Sequence, residues 1–234
     1  MQPLIEIDNL TYTYPDGKQA LNGINLKVMP GEKIALVGSN GAGKSTLLLH
    51  LNGIFTGSGR IRVNGLTVEK ANLGRVRALV GLVFQNPDDQ LFSPTVFEDV
   101  AYGPIYQGLP KETVREQVER ALHAVHLDDY AARNPYHLSG GEKKRVAIAT
   151  VLSMQPEILI FDEPTAGLDP RSRRELISLL CELPQTMLIA THDLPLAEQL
   201  TPRTVILNRG TIAADGPTGR ILRDNALLDA NGLR

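Results

Sequence analysis

Gly38-Ser39-Asn40-Gly41-Ala42-Gly43-Lys44-Ser45-Thr46 stands between an apolar run, Ile34-Ala35-Leu36-Val37, and a helix-compatible run, Thr46-Leu47-Leu48-Leu49-His50-Leu51. That order reads as a strand, a glycine-rich loop and a helix start. The spacing Gly-x4-Gly-Lys-Ser suits a nucleoside triphosphate, because glycines let the backbone wrap a polyphosphate and aim N–H groups and a helix N-terminus at its oxygens. Lys44 is expected to set its ammonium against the β- and γ-phosphates, and the Ser45 hydroxyl to take one position on Mg²⁺.

The chain has 234 residues, enough for one large domain or a domain with an inserted subdomain and a sizeable core. Its formal charge is −2, with Lys and Arg scattered, so nothing recommends nucleic acid as a partner. One cysteine, Cys181, excludes an internal disulfide or a cysteine-rich metal cluster and suits a reducing cytoplasm. A small apolar side chain on a helix is the expectation for it. The start, Met1-Gln2-Pro3-Leu4-Ile5-Glu6, lacks the basic and apolar regions of a secretory signal, and no apolar run is long enough to cross a bilayer. A soluble chain is expected, any membrane part being supplied by others.

Leu4 to Val28 alternate apolar and polar residues around the turn Pro15-Asp16-Gly17, which predicts an antiparallel β region. Tyr12 and Tyr14 precede that turn; either ring could belong to the core or stack on a base, and spacing alone favours packing. Arg60 to Gly65 reads as a strand ending in a tight turn, and Leu79 to Phe84 as a buried strand stopping at Gln85. From Pro87 to about Leu152 the pattern turns helical, with a stripe at Val114, Val118, Ala121, Leu122 and Val125. His123 and His126 have a spacing a metal could use, but with no further ligand a solvated or packing role is expected. Ser139-Gly140-Gly141 before a helix is either a second anion site or an ordinary helix cap.

Ile158-Leu159-Ile160-Phe161-Asp162-Glu163 is an unbroken apolar run closed by two acids, as a central parallel strand looks when its end opens onto a site. Asp162 is expected to hold Mg²⁺, mostly through water, and Glu163 to orient or deprotonate an attacking water. A helix is expected over 172–183 and a strand over 187–191, and His192 after that strand could reach a γ-phosphate. Thr204–Leu207 and Thr211–Ala214 should pair as a hairpin, with a short helix and tail from Gly219 onward.

With these residues in view the chain resembles the ATP-binding-cassette ATPases over nearly its whole length. The likeness lies in the order of the phosphate loop, Gln85, Leu138-Ser139-Gly140-Gly141-Glu142, Ile158 to Glu163, Ala166-Gly167-Leu168-Asp169 and His192. It implies an α/β P-loop fold with a mixed, largely parallel sheet, an N-terminal antiparallel β region and an inserted helical subdomain. The expected division is 1–86 and 153–234 as nucleotide-binding core and 87–152 as helical subdomain. By the same resemblance ATP and Mg²⁺ are the cofactors, and Gly38, Ser39, Asn40, Gly41, Ala42, Gly43, Lys44, Ser45 and Thr46 hold the nucleotide. Tyr14 stacks on adenine, and Gln85 contacts Mg²⁺ or the attacking water. Ser139, Gly140 and Gly141 touch the γ-phosphate held by another subunit, and Asp169 communicates across that interface. Hydrolysis then needs two chains head to tail, either two copies or this chain with a similar ATPase. Glu142 stands where many members have glutamine, which leaves the phosphate-touching serine and glycines in place.

A narrower resemblance is carried by Phe84 to Pro104, FQNPDDQLFSPTVFEDVAYGP, with Tyr12 to Gly17 and Gly140 to Arg145. This looks like the ATPase subunits of energy-coupling-factor importers, especially those for cobalt and nickel. It implies a peripheral place on the cytoplasmic face of the membrane. The implied partners are a transmembrane coupling protein and a separate membrane subunit that captures the substrate, which this chain never meets. The short stretch after Leu222 tilts the expectation toward the metal branch; a vitamin-type importer or another cassette transporter is the alternative.

Overall fold

The protein is described by a computed structural model over residues 2–234; Met1 lies outside the described residues. In chain order come β1 (Ile5–Thr13), β2 (Gln19–Val28), β3 (Lys33–Val37), α1 (Lys44–Leu51), β4 (Ser58–Val63), β5 (Leu66–Thr67), α2 (Leu73–Leu79) and β6 (Val80–Val83). Next are α3 (Val96–Tyr106), α4 (Lys111–Ala124), α5 (Gly140–Leu152), β7 (Ile158–Asp162), α6 (Pro170–Glu182), β8 (Thr186–Thr191) and α7 (Leu194–Leu200). β9 (Arg203–Asn208), β10 (Thr211–Pro217), α8 (Thr218–Ile221) and α9 (Asn225–Ala230) complete the order. These elements form two compact units, one made of residues up to Val80 with Glu157–Glu163 and Pro184–Arg234, the other of Gly81–Pro156 and Pro164–Leu183.

The first unit holds two sheets. One runs β2-β1-β4-β5 and is antiparallel, Ile5 facing Val28 on one side and Val63 on the other. The expected N-terminal β region is therefore present, and the turn after β4 falls at Asn64 and Gly65, both with positive φ, as a two-residue hairpin requires. The other sheet runs β10-β9-β3-β8-β7 within this unit. β3 is parallel to β8 and β9, and β7 is parallel to β8, while β9 and β10 form the expected antiparallel hairpin. Ile34, Leu36, Ile158, Ile160, Phe161, Leu188 and Ile206 are all fully buried. That is why these strands read as continuous apolar runs. Parallel neighbours end on the same side, so the loops after β3, β7 and β8 share one edge of the sheet. The C-terminal stretch differs from expectation: α8 and α9 are two helices, because Asp224 accepts from the Leu227 N–H and starts a second one.

The second unit is helical. The apolar stripe of α4 buries Val114, Val118, Ala121 and Leu122, with charged residues outward. α3 and α5 each begin with a capping box, Thr95 with Glu98 and Ser139 with Glu142. α6 starts two residues before the expected Ser172, because Asp169 accepts from the Arg171 and Ser172 N–H groups and Pro170 occupies the first turn.

Candidate nucleotide site

The first unit brings the phosphate loop, Asp162, Glu163 and His192 to one sheet edge. β3 delivers the loop, and its last residue, Val37, lies in register with Thr191 of β8, while Asp162 of β7 lies in register with Ala190. Glu163 follows directly, its N–H bonded to the Ala190 carbonyl at 2.8 Å.

α1 begins at Lys44 with Gly43 in the cap position, so no side chain caps its first turn, and the leading N–H groups of a helix have no carbonyl partner within it. Gly43 has φ +106, and a Cβ on it would stand 2.6 Å from the Ala20 carbonyl, so only glycine fits. An uncapped helix N-terminus behind a glycine turn is a donor set for a polyphosphate, and the exposed Ser45 hydroxyl with the Asp162 carboxylate offers hard oxygen ligands for Mg²⁺. The residues fit both groups.

Lys44 is 6 % exposed; its Nζ donates to the Gly38 carbonyl at 2.7 Å and stands 3.8 Å from Glu163 Oε1. Burial pushes its ammonium below the usual 10.5, while the charges of Glu163 and Asp162 pull it back up. Glu163 has φ +46, unusual for a side-chain-bearing residue, and is 8 % exposed. The Thr191 hydroxyl donates to its Oε2 at 3.1 Å, and His192 Nδ1 is 2.8 Å from its Oε1. The result is a carboxylate locked in orientation beside a buried ammonium at the mouth of a phosphate-binding loop, suited to holding a water in line with a phosphoryl group.

Tyr14 is partly buried, its hydroxyl 2.7 Å from Thr46 Oγ1, with Tyr12 packed edge-on at 5.1 Å. A cavity of about 510 Å³ adjoins Ser39, Asn40 and Ala42 on one side and Asn208, Arg209 and Asn231 on the other. Asn208 Nδ2 donates to Asn231 Oδ1 at 2.9 Å, and the Gly210 N–H to the Ala42 carbonyl at 3.0 Å, which ties the C-terminal turn to the phosphate loop.

Gln85, Ser139, Gly140, Gly141 and Asp169 belong to the second unit. There the buried Lys144 donates to the Gln85 carbonyl at 2.6 Å, and Gln90 Nε2 to the Ala147 carbonyl at 2.8 Å, so the loop after β6 is stapled onto α5. A Cβ on Gly141 would stand 2.7 Å from Ser172 Oγ, which brings the start of α5 against the start of α6 and its cap Asp169. His123 and His126 each face a different carboxylate, Asp128 at 2.7 Å and Glu182 at 3.2 Å, and among the described residues no group of three His, Cys, Asp or Glu could hold a metal. Cys181 lies on α6 and is exposed. No pattern in the sequence singles out Tyr130 or the Asn208–Asn231 pair, and the signal for Thr191 is its place next to His192.

The model of the ABC transporter family matches residues 21–166, and the chain belongs to that family of ATP-binding transport ATPases. Its relatives include proteins named only by the general description ABC transporter ATP-binding protein, such as one of Gloeobacter violaceus at 56 % identity over 236 residues, 100 % of this chain and 96 % of the relative, and others named for energy-coupling factor transporters. It is 50 % identical over 237 residues, 99 % of this chain and 76 % of the relative, to the energy-coupling factor transporter ATP-binding protein EcfA of Methanothermobacter thermautotrophicus. To EcfA of Carboxydothermus hydrogenoformans it is 47 % identical over 238 residues, all of this chain and 88 % of the relative. Among solved structures, cbiO1 of Clostridium perfringens, part of the ABC transporter complex cbiONQ, matches with a TM-score of 0.88 and 37 % identity, covering 100 % of this chain and 96 % of that one.

Proposed function

We propose that this chain is the ATP-hydrolysing motor subunit of an energy-coupling-factor importer, and that the ion moved is cobalt or nickel. The observation that carries the motor reading is the Glu163 carboxylate, pinned by Thr191 and His192 and 3.8 Å from the Lys44 ammonium. Gly38 to Thr46 wrap the polyphosphate, and Tyr14 packs on the adenine. Lys44 turns from the Gly38 carbonyl to the β- and γ-phosphates. Glu163 receives the proton of the attacking water or orients it, and His192 steadies the γ-phosphate. Mg²⁺, held by Ser45 and by Asp162 through water, would supply charge neutralisation at the phosphates. Gln85 is assigned to the metal or the water from its place in the sequence order alone.

Ser139, Gly140 and Gly141 of each copy serve the nucleotide of a second copy or a similar ATPase, and Asp169 takes part in that contact. The helical subdomain 87–152 is the arm that moves. Phe92, Tyr102, Ile105 and Tyr106 of the second unit are more than half exposed, with the rings of Phe92 and Tyr102 5.3 Å apart. We assign this apolar face to helices of a transmembrane coupling protein, with substrate captured by another membrane subunit. No described helix is long and apolar enough to cross a membrane; we assign the membrane path to those partners and this chain to the cytoplasmic face. The ion assignment is supported by the resemblance of Phe84 to Pro104.

Accumulation of radioactive cobalt and nickel, in cells expressing the chain with its membrane partners, tests this. Uptake lost in Glu163→Gln, with ATP binding retained and turnover lowered by about two orders of magnitude or more, is expected. Wild-type turnover in that variant removes Glu163 from its role; an active, assembled complex without uptake transfers the assignment to a vitamin importer.

A further inference from the structure

The start of α5 carries an arrangement that the phosphate-contact reading does not use. Glu142 Oε2 accepts from both the Ser139 N–H, at 2.8 Å, and the Ser139 hydroxyl, at 2.7 Å. The serine proton that would serve a phosphate is therefore turned back onto its own helix. The other carboxylate oxygen, Oε1, accepts from the Tyr130 hydroxyl at 2.6 Å. Tyr130 is held in turn: the Arg133 guanidinium lies 3.6 Å over its ring, and the Ala131 and Arg133 carbonyls accept from the Phe97 and Val96 N–H groups at 2.8 and 2.9 Å. The Tyr130 hydroxyl, followed by Ser139, holds the Glu142 carboxyl down to about 2, so the charge is present throughout the physiological range.

A capping glutamate is common at the third position of a helix, where it needs only the cap N–H. Here it also takes the cap hydroxyl and a tyrosine from another segment, and it brings a full negative charge to a helix N-terminus that would otherwise receive an anion. We propose that Glu142 is a positioning residue: its carboxylate, steadied by Tyr130, draws the Ser139 hydroxyl back and opposes an incoming phosphate, so that Tyr130 and Glu142 together set how tightly the segment closes on the nucleotide of a second copy. This rests on the assignment of Ser139 to that phosphate.

Two substitutions move the balance in opposite directions. In Glu142→Gln the side-chain carbonyl can still take the Ser139 N–H, but the charge is gone and the hydroxyl is released. In Tyr130→Phe the carboxylate loses its outer donor, keeps its charge and pulls harder on Ser139.

The test is steady-state ATP hydrolysis by the purified full-length chain and four variants, Ser139→Ala, Glu142→Gln, Tyr130→Phe and the Glu142→Gln/Tyr130→Phe pair, with Tm recorded for each. Expected are a KM for ATP lowered roughly three- to tenfold in Glu142→Gln, raised by a similar factor in Tyr130→Phe, and kcat within about twofold in both. Adding Tyr130→Phe to Glu142→Gln should change nothing further, since the charge it acts through is absent. The same KM in Glu142→Gln as in the wild type, or a Tyr130→Phe effect that persists in the pair, overturns the proposal while Ser139→Ala still lowers activity. Full activity in Ser139→Ala instead overturns the phosphate assignment beneath it. Should Glu142→Gln fail to fold, the rise in KM for Tyr130→Phe decides alone: its absence overturns the proposal.

Discussion

Thr191 decides what Glu163 can do. A carboxylate at a strand end swings freely unless something holds it, and here the threonine hydroxyl fixes one oxygen while His192 takes the other. Thr191→Val keeps the strand but removes both the donor to Glu163 and the acceptor of the Asp193 N–H at 3.0 Å. We expect kcat to fall about tenfold or more, KM for ATP to stay within about twofold, and Tm to drop by a few degrees, since a hydrogen bond to a charged group is worth about 1.5–3 kcal/mol. Steady-state kinetics with a melting curve separates the two effects. Gly141→Ala belongs to the same scale: its new methyl meets Ser172 Oγ at 2.7 Å, and overpacking of this kind costs about 1–3 kcal/mol. Thermal unfolding should show the loss. The acids Asp162 and Glu163 were legible in the sequence because charge after an apolar strand is costly without a task. Thr191 was not, because a threonine ending a strand looks like any β-former until the register sets Ala190 beside Asp162.

α1 carries a burden at its far end. His50 is 1 % exposed, its Nδ1 lies 2.7 Å from the Thr46 carbonyl, and its ring packs against Tyr12 at 4.7 Å and Phe55 at 5.8 Å. Its Nε2 has no partner, so protonation would strand a buried N–H; burial pushes the ring below the usual 6.5. The unfolded chain therefore binds a proton that the folded helix refuses. Stability is complete above pH 6.5 and declines as pH falls below it, by less than about 1.4 kcal/mol per pH unit. Melting curves from about pH 5 to 8 should show this slope in the wild type and a flatter one in His50→Phe. Most strands and α4 and α6 were readable because their apolar pattern spans a whole strand or several turns, and α1 because an apolar run follows the glycine loop. α2 and α7 have seven residues each, too few to display a period, and α9 is visible only through its cap Asp224.

Over the whole molecule, the proposed division of the site between two copies predicts that hydrolysis rises faster than linearly with protein concentration, with strict proportionality in a dilution series as the outcome that counts against the pair. Substituting Phe92 and Tyr102 by Ala should abolish co-purification with the membrane partners while leaving basal hydrolysis within about twofold, because neither ring lies in the nucleotide-binding unit. The α/β fold with an antiparallel β region was legible from the order of strand-like and helical runs. The grouping of 164–183 with the helical residues was not, since it follows from packing of α6 at positions such as Gly141 and Ser172 that no periodicity marks. That helix also carries Cys181, the single cysteine of the chain and exposed. One maleimide dye therefore marks one known point on the second unit of the native chain, and with a fluorescent ATP analogue as acceptor the movement proposed for that unit becomes a distance read in real time, without engineering a cysteine.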